Sequence, residues 1–153
     1  MKVRDAMSRS VRSVTPDMKV MEVASLMTLY RFHGLPVVDA EDKLVGIIAE
    51  KDVLHTLFPK LDDLMIGGMH SVDLDKEMAR YGDVLNQTVE ELMTKNPLSV
   101  DPDMHLLRAA TIMVRHKFRR IPVVEDAKLT GVLSLGDVHK AIFQANISAM
   151  LGS

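Results

Sequence analysis

The chain has no cysteine and no tryptophan, and aromatic residues make up only 4% of it. Without cysteine there is neither a disulfide framework nor thiolate chemistry, which suits a cytoplasmic protein. Two tyrosines and four phenylalanines lay out no platform on which nucleobases would stack. No apolar run approaches the roughly 20 residues of a membrane span, and residues 1–10 are charged and lack a signal-peptide core. Charge of either sign is scarce in excess: 19 basic against 21 acidic residues leave a net charge of −2 at pH 7. Neither nucleic acid nor a membrane is an expected partner. The six histidines (33, 55, 70, 105, 116, 139) form no H-x-x-x-H pair, so no metal site is expected. No Walker lysine, no G-x-G-x-x-G and no glycine-flanked serine elbow is present, and no catalytic residue is assigned.

What is present is aliphatic and sulfur-rich. Hydrophobic residues make up 47% of the 153, and 12 are methionine, which fills irregular gaps in a core. That length suits one compact domain, or two small halves sharing a core. The halves are visible. Shifted by 86 positions, residues 3–41 fall on 89–127, and thirteen of the 39 pairs are identical, among them Val3/Val89, Pro16/Pro102, Met27/Met113, Phe32/Phe118 and Pro36/Pro122. After a one-residue deletion Lys43, Leu44, Gly46, Asp52 and Val53 match Lys128, Leu129, Gly131, Asp137 and Val138. Two copies of one unit are joined in tandem.

Each copy reads as an entry loop, an extended piece (13–15, 98–100), and a helix opened by Pro16-Asp17 or Pro102-Asp103. The helices predicted over 17–30 and 103–118 carry Val20, Val23, Ala24, Met27 and Leu106, Ala109, Ala110, Met113 at helical spacing. A strand with an early proline follows (35–38, 121–124), then an acidic turn, a second strand (44–48, 129–133) and a second helix near Asp52 or Asp137. The fold class is α/β (α+β): two β-α-β-β-α repeats packed about a pseudo-twofold axis through their sheets. The repeats are set at 1–58 and 89–146, with a helical insert at 59–88 and a tail at 147–153. In the insert, Ile66-Gly67-Gly68-Met69 reads as a break. A helix over 75–85 is expected, with Met78, Tyr81 and Leu85 on one side.

Gly131-Val132-Leu133-Ser134-Leu135-Gly136-Asp137 carries the chemistry. A buried strand ends at a hydroxyl, and a carboxylate follows in the first helical turn, where both can bond a polyhydroxyl such as ribose. Taken alone, Asp137 simply caps a helix and Ser134 fills a turn. The segment recurs, however, as Gly46 to Asp52. Two copies of it, each preceded by the strand Pro36-Val37-Val38 or Pro122-Val123-Val124, resemble paired cystathionine-β-synthase (CBS) domains, the Bateman module. The resemblance covers residues 3 to about 142 apart from the insert.

The resemblance implies clefts between the repeats that hold adenosine-containing ligands: AMP, ADP, ATP or S-adenosylmethionine. By position Asp137 and Ser134 would hold ribose in one cleft and Asp52 in the other. Ala49 stands where a hydroxyl is usual, so the Asp137 cleft is the better site. Ser10, Val11, Arg12 and Leu35 would supply adenine contacts to it, and Asn96, Pro97, Leu98 and Ile121 would supply them to the Asp52 cleft. Arg119 and Arg120, before Pro122, would reach phosphate, and His33 stands at the matching place in the first copy. As an alternative, the run 115–120 is a solvated helix end. The function implied is a non-enzymatic sensor of cellular energy state, with an adenine nucleotide as regulatory ligand, no obligatory cofactor, a homodimeric form and an unidentified regulated partner. The alternative is a ligand-independent dimerisation module, with self-association through the helices of 17–30 and 103–118. An enzyme acting on nucleotides has no acid–base pair or metal cluster to support it.

Overall fold

The structure is a computed structural model that describes residues 1–58 and 73–152. It is a mixed α/β protein that divides into two compact units, one of residues Ser13–Asp39 and Val45–Asn96, the other of Met1–Arg12, Ala40–Leu44 and Pro97–Ser153.

In the first unit, helix α1 (Val20–Tyr30) buries Val20, Val23 and Met27, three of the four residues its spacing singled out, and leaves Ala24 half-buried. It starts three residues later than 17–30 predicts. Pro16-Asp17 forms a turn instead: the Met18 amide bonds the Thr15 carbonyl at 3.2 Å, and the Thr15 hydroxyl bonds Asp17 at 2.7 Å. The proline ends an extended piece and leaves Lys19, still extended, as the N-cap. That piece is a one-residue parallel bridge from Val14 to Val37. Val14 donates to the Pro36 carbonyl, so the proline sits where only its acceptor is needed. Strands β1 (Gly34–Val38) and β2 (Leu44–Ala49) lead to helix α2 (Glu50–Leu54) and a 3₁₀ turn, His55–Leu57.

The expected helix over 75–85 is two helices, α3 (Leu74–Ala79) and α4 (Tyr81–Leu85), broken at Arg80. Met78 is 70% exposed, and Val84 rather than Met78 enters the core, because the break rotates the apolar face. The expected break at 66–69 lies outside the described residues. Helix α5 (Val89–Leu92) and strand β3 (Thr94–Lys95) complete the unit. β3 pairs antiparallel with β2, and the sheet order is β1-β2-β3.

The second unit repeats this with α6 (Leu106–Arg115), the antiparallel hairpin β4 (Arg120–Glu125) and β5 (Lys128–Ser134), and α7 (Leu135–Met150). Helix α6 likewise begins after the Pro102-Asp103 turn, with His105 Nδ1 accepting from the Leu107 amide at 3.1 Å, and it ends before the predicted 118. Lys117 lies in the left-handed region, as Arg31 does after α1. Phe118 stacks on His116 and is 37% exposed.

Each unit is closed by the opening segment of the other sequence copy. Val89 is fully buried among Val14, Val20, Val23 and Ile48; Val3 is fully buried among Val100, Leu106, Met113 and Leu133. The hydrogen bonds are duplicated: Val89 N–H to the Met18 carbonyl and Val3 N–H to the Met104 carbonyl, both 2.9 Å. In the second unit ion pairs reinforce the closure, Arg4 Nη2 to Asp103 Oδ1 at 2.7 Å and Lys2 Nζ to the same oxygen at 3.5 Å. The Arg4 hydrogen bond holds the Asp103 carboxyl below its ordinary range.

Candidate functional site

β4 and β5 pair so that Arg120 lies opposite Ser134, and the Leu135 amide donates to the Arg119 carbonyl at 3.0 Å. The hairpin thus delivers two guanidinium-bearing residues to the start of α7, although they lie 14 or more positions earlier in the chain. Ser134 is the N-cap, in an extended conformation, and the capping is reciprocal. Its Oγ accepts from the Asp137 amide at 3.0 Å, while Asp137 Oδ2 accepts from the Ser134 amide at 3.0 Å. Both residues are half-buried. The capping reading of the motif is therefore correct for one oxygen of the carboxylate. The other, Oδ1, takes no hydrogen bond from any described residue, and an ionised carboxylate has about four acceptor positions. A partly accessible acceptor is thus held rigidly at the positive end of a 16-residue helix.

Arg119 and Arg120 are exposed, and with Arg115 and Lys117 they form no ion pair among the described residues. Arginine clusters of this kind offer forked donors to phosphate. The run at 115–120 is not a helix end in its entirety: α6 stops at Arg115, and Arg120 begins β4.

The twin position in the first unit has the same backbone and different side chains. The Glu50 amide donates to the His33 carbonyl at 3.0 Å, and the Ala49 amide donates to Asp52 Oδ2 at 2.8 Å. Ala49 has no hydroxyl to return the bond. Glu50 Oε1 lies 3.4 Å from His33 Nδ1.

Of the other expected site residues, Ser10, Val11 and Arg12 belong to the unit that contains Asp137, as do Pro97, Leu98 and Ile121. His33, Leu35, Asp52 and Asn96 belong to the other. Leu35 and Ile121 are 3% and 0% exposed, so their side chains are committed to the cores and only backbone groups remain for a ligand. Leu98 is 45% exposed. Glu50, beside His33, was not among the expected site residues, and its counterpart in the second copy is Leu135. Among the described residues no group of three His, Cys, Asp or Glu could hold a metal ion, and no helix is long and apolar enough to cross a membrane.

The CBS domain family model matches residues 3–58 and 89–144. The chain is 29% identical to the uncharacterized protein MJ1426 of Methanocaldococcus jannaschii over 93% of its own length and 91% of that protein's. It is 33% identical to the CBS domain-containing protein CBSX2, chloroplastic, of Arabidopsis thaliana over 89% of its length, spanning 60% of that relative. The crystal structure of CBSX2 in complex with AMP superposes with a TM-score of 0.73 at 30% identity, covering 95% of this chain and 98% of that one. With the duplicated motif, the duplicated backbone and the family model in agreement, this chain belongs to the CBS domain family, as a tandem pair.

Proposed function

We propose that this chain is a non-enzymatic, regulatory binding module for an adenosine-containing ligand (AMP, ADP or ATP) held at the N-terminal end of α7. One observation carries the reading. A carboxylate with one oxygen fixed by capping and the other open stands beside two arginines that have no ion-pair partner among the described residues. In this arrangement Asp137 Oδ1 accepts from the ribose hydroxyls, Ser134 lies alongside, and Arg119 and Arg120 take phosphate. Backbone groups of Ser10, Val11 and Arg12, in the same unit, are the adenine contacts. The AMP complex of CBSX2 supports the ligand class. Binding shifts a conformational equilibrium of the chain, and a protein partner reads that shift as a report on nucleotide level. A cytoplasmic location is compatible with a cysteine-free chain, which carries no thiol or disulfide for any compartment to reduce or oxidise.

Isothermal titration with AMP, ADP, ATP and S-adenosylmethionine tests this. At least one gives a saturable heat that disappears in Asp137→Asn, a variant that keeps a cap acceptor and loses the charge. Heat from none of them overturns the reading.

A second reading, a homodimerisation module, is favoured by α7 itself. Phe143, Ile147, Met150 and Leu151 recur at one-face spacing and are 58%, 37%, 79% and 80% exposed. The two readings separate on ligand response: a ligand at 100 times its Kd adds about 2.7 kcal/mol of stability, whereas a pure dimerisation module gains none.

A further inference from the structure

We propose that the chain takes one phosphorylated nucleotide, at the α7 end, and that Glu50 bars phosphate from the twin position at α2. This rests on the nucleotide reading above and decides how many of the two duplicated positions it applies to.

The internal repeat allows one position to be compared with the other, bond for bond. The joints are the same: Leu135 N–H to the Arg119 carbonyl and Glu50 N–H to the His33 carbonyl, both 3.0 Å. So is the half of the cap made by the carboxylate, Ser134 N–H to Asp137 Oδ2 and Ala49 N–H to Asp52 Oδ2. Only side chains differ. Ser134, Leu135, Arg119 and Arg120 have as counterparts Ala49, Glu50, His33 and Gly34.

The sign of the charge inverts as a result. At the α7 end two guanidiniums outweigh the one carboxylate. At the α2 end Glu50 and Asp52 outweigh Lys51, with histidine counted as neutral. Glu50 also engages His33, the residue standing where Arg119 would supply a phosphate donor, at 3.4 Å. A phosphate placed there meets a carboxylate in place of Leu135, and like charges so juxtaposed act as a specificity filter. The five-residue α2 has little macrodipole to offset this, whereas α7 has 16 residues. Glu50 is thus a specificity-determining residue, and the affinity of its position for AMP or ATP is at least about 100-fold weaker than that of the α7 end.

Titration of the full chain with ATP and with AMP tests this through stoichiometry. The expected result is one nucleotide per chain, with binding lost in Asp137→Asn and kept in Asp52→Asn. Two sites per chain of similar affinity, or binding lost in Asp52→Asn and kept in Asp137→Asn, overturns the inference while leaving nucleotide binding intact. No heat from either nucleotide overturns both. Transplanting the α7 side chains by Ala49→Ser, Glu50→Leu, His33→Arg and Gly34→Arg is expected to raise the stoichiometry to two. A Cβ at Gly34 would meet nothing nearer than the Ile48 carbonyl at 3.4 Å, so the backbone accepts the change. Glu50→Gln alone, a half-exposed surface change, is expected to reveal a second, weaker binding step, and its absence overturns the role assigned to Glu50.

Discussion

Asp137 and Ser134 satisfy each other's backbone amides, and Asp52 satisfies that of Ala49 without any return bond. This difference has a measurable size. Ser134→Ala is expected to lower unfolding free energy by about 1 kcal/mol, the usual cost of losing an N-cap side chain. Ala49→Ser should raise it by up to about the same amount, since its backbone already has the capping conformation. Urea denaturation of the two variants checks both signs. A second residue-scale prediction concerns Asp103. Its carboxyl is depressed by the hydrogen bond from Arg4, so the stabilisation is present above the ordinary carboxylate value of 3.8 and fades as pH falls through the lower, folded-state value. Asp103→Asn should therefore melt below the parent protein at pH 7, with the two melting temperatures converging on acidification and in high salt. At this scale the sequence was a good guide to local capping. The capping bond of Asp137 was readable from Ser134-x-x-Asp137, whereas the difference between Glu50 and Leu135 shows only when the two copies are compared.

Elements were legible where hydrophobic spacing decides them. The buried stripes of α1 and α6 and all four long strands follow from it. The helix starts were not, because a proline at the first helical position and a proline closing an extended segment look alike, and the Val14–Val37 and Val100–Val123 bridges select the second. Nor was the role of the duplicated glycine. At Gly131 an added Cβ would lie 2.7 Å from the Ser8 carbonyl oxygen and 3.0 Å from Met7 Sδ; at Gly46 it would lie 2.6 Å from Met93 Sδ and 2.9 Å from the Thr94 carbonyl oxygen. Each glycine lets an opening segment lie against the strand, which is a packing requirement rather than a ligand contact. Gly131→Ala is expected to cost about 1–3 kcal/mol, because backbone rather than a flexible side-chain tip must yield. Thermal unfolding of the variant checks it, and retention of the parent melting temperature contradicts the assignment.

For the molecule as a whole, the repeat was legible and the exchange of opening segments was not. Composition and period say nothing about which copy a segment packs on, and Val3 and Val89 are equally apolar wherever they go. Val3→Ala should cost about 2 kcal/mol by cavity formation in the second unit. Hydrogen exchange read by mass spectrometry should show the loss in α6 and β4, roughly a hundred residues downstream, with α1 unaffected; loss confined to residues 1–58 contradicts it. The exchange also sets an order of events during folding. Val3 meets Met104 only after the roughly 100 residues between them have been made, so the second unit closes across a long loop and bears its entropy. Contacts of such high sequence separation slow the approach to the native state, and until the second unit is made the aliphatic side chain of Val3 has no core to enter.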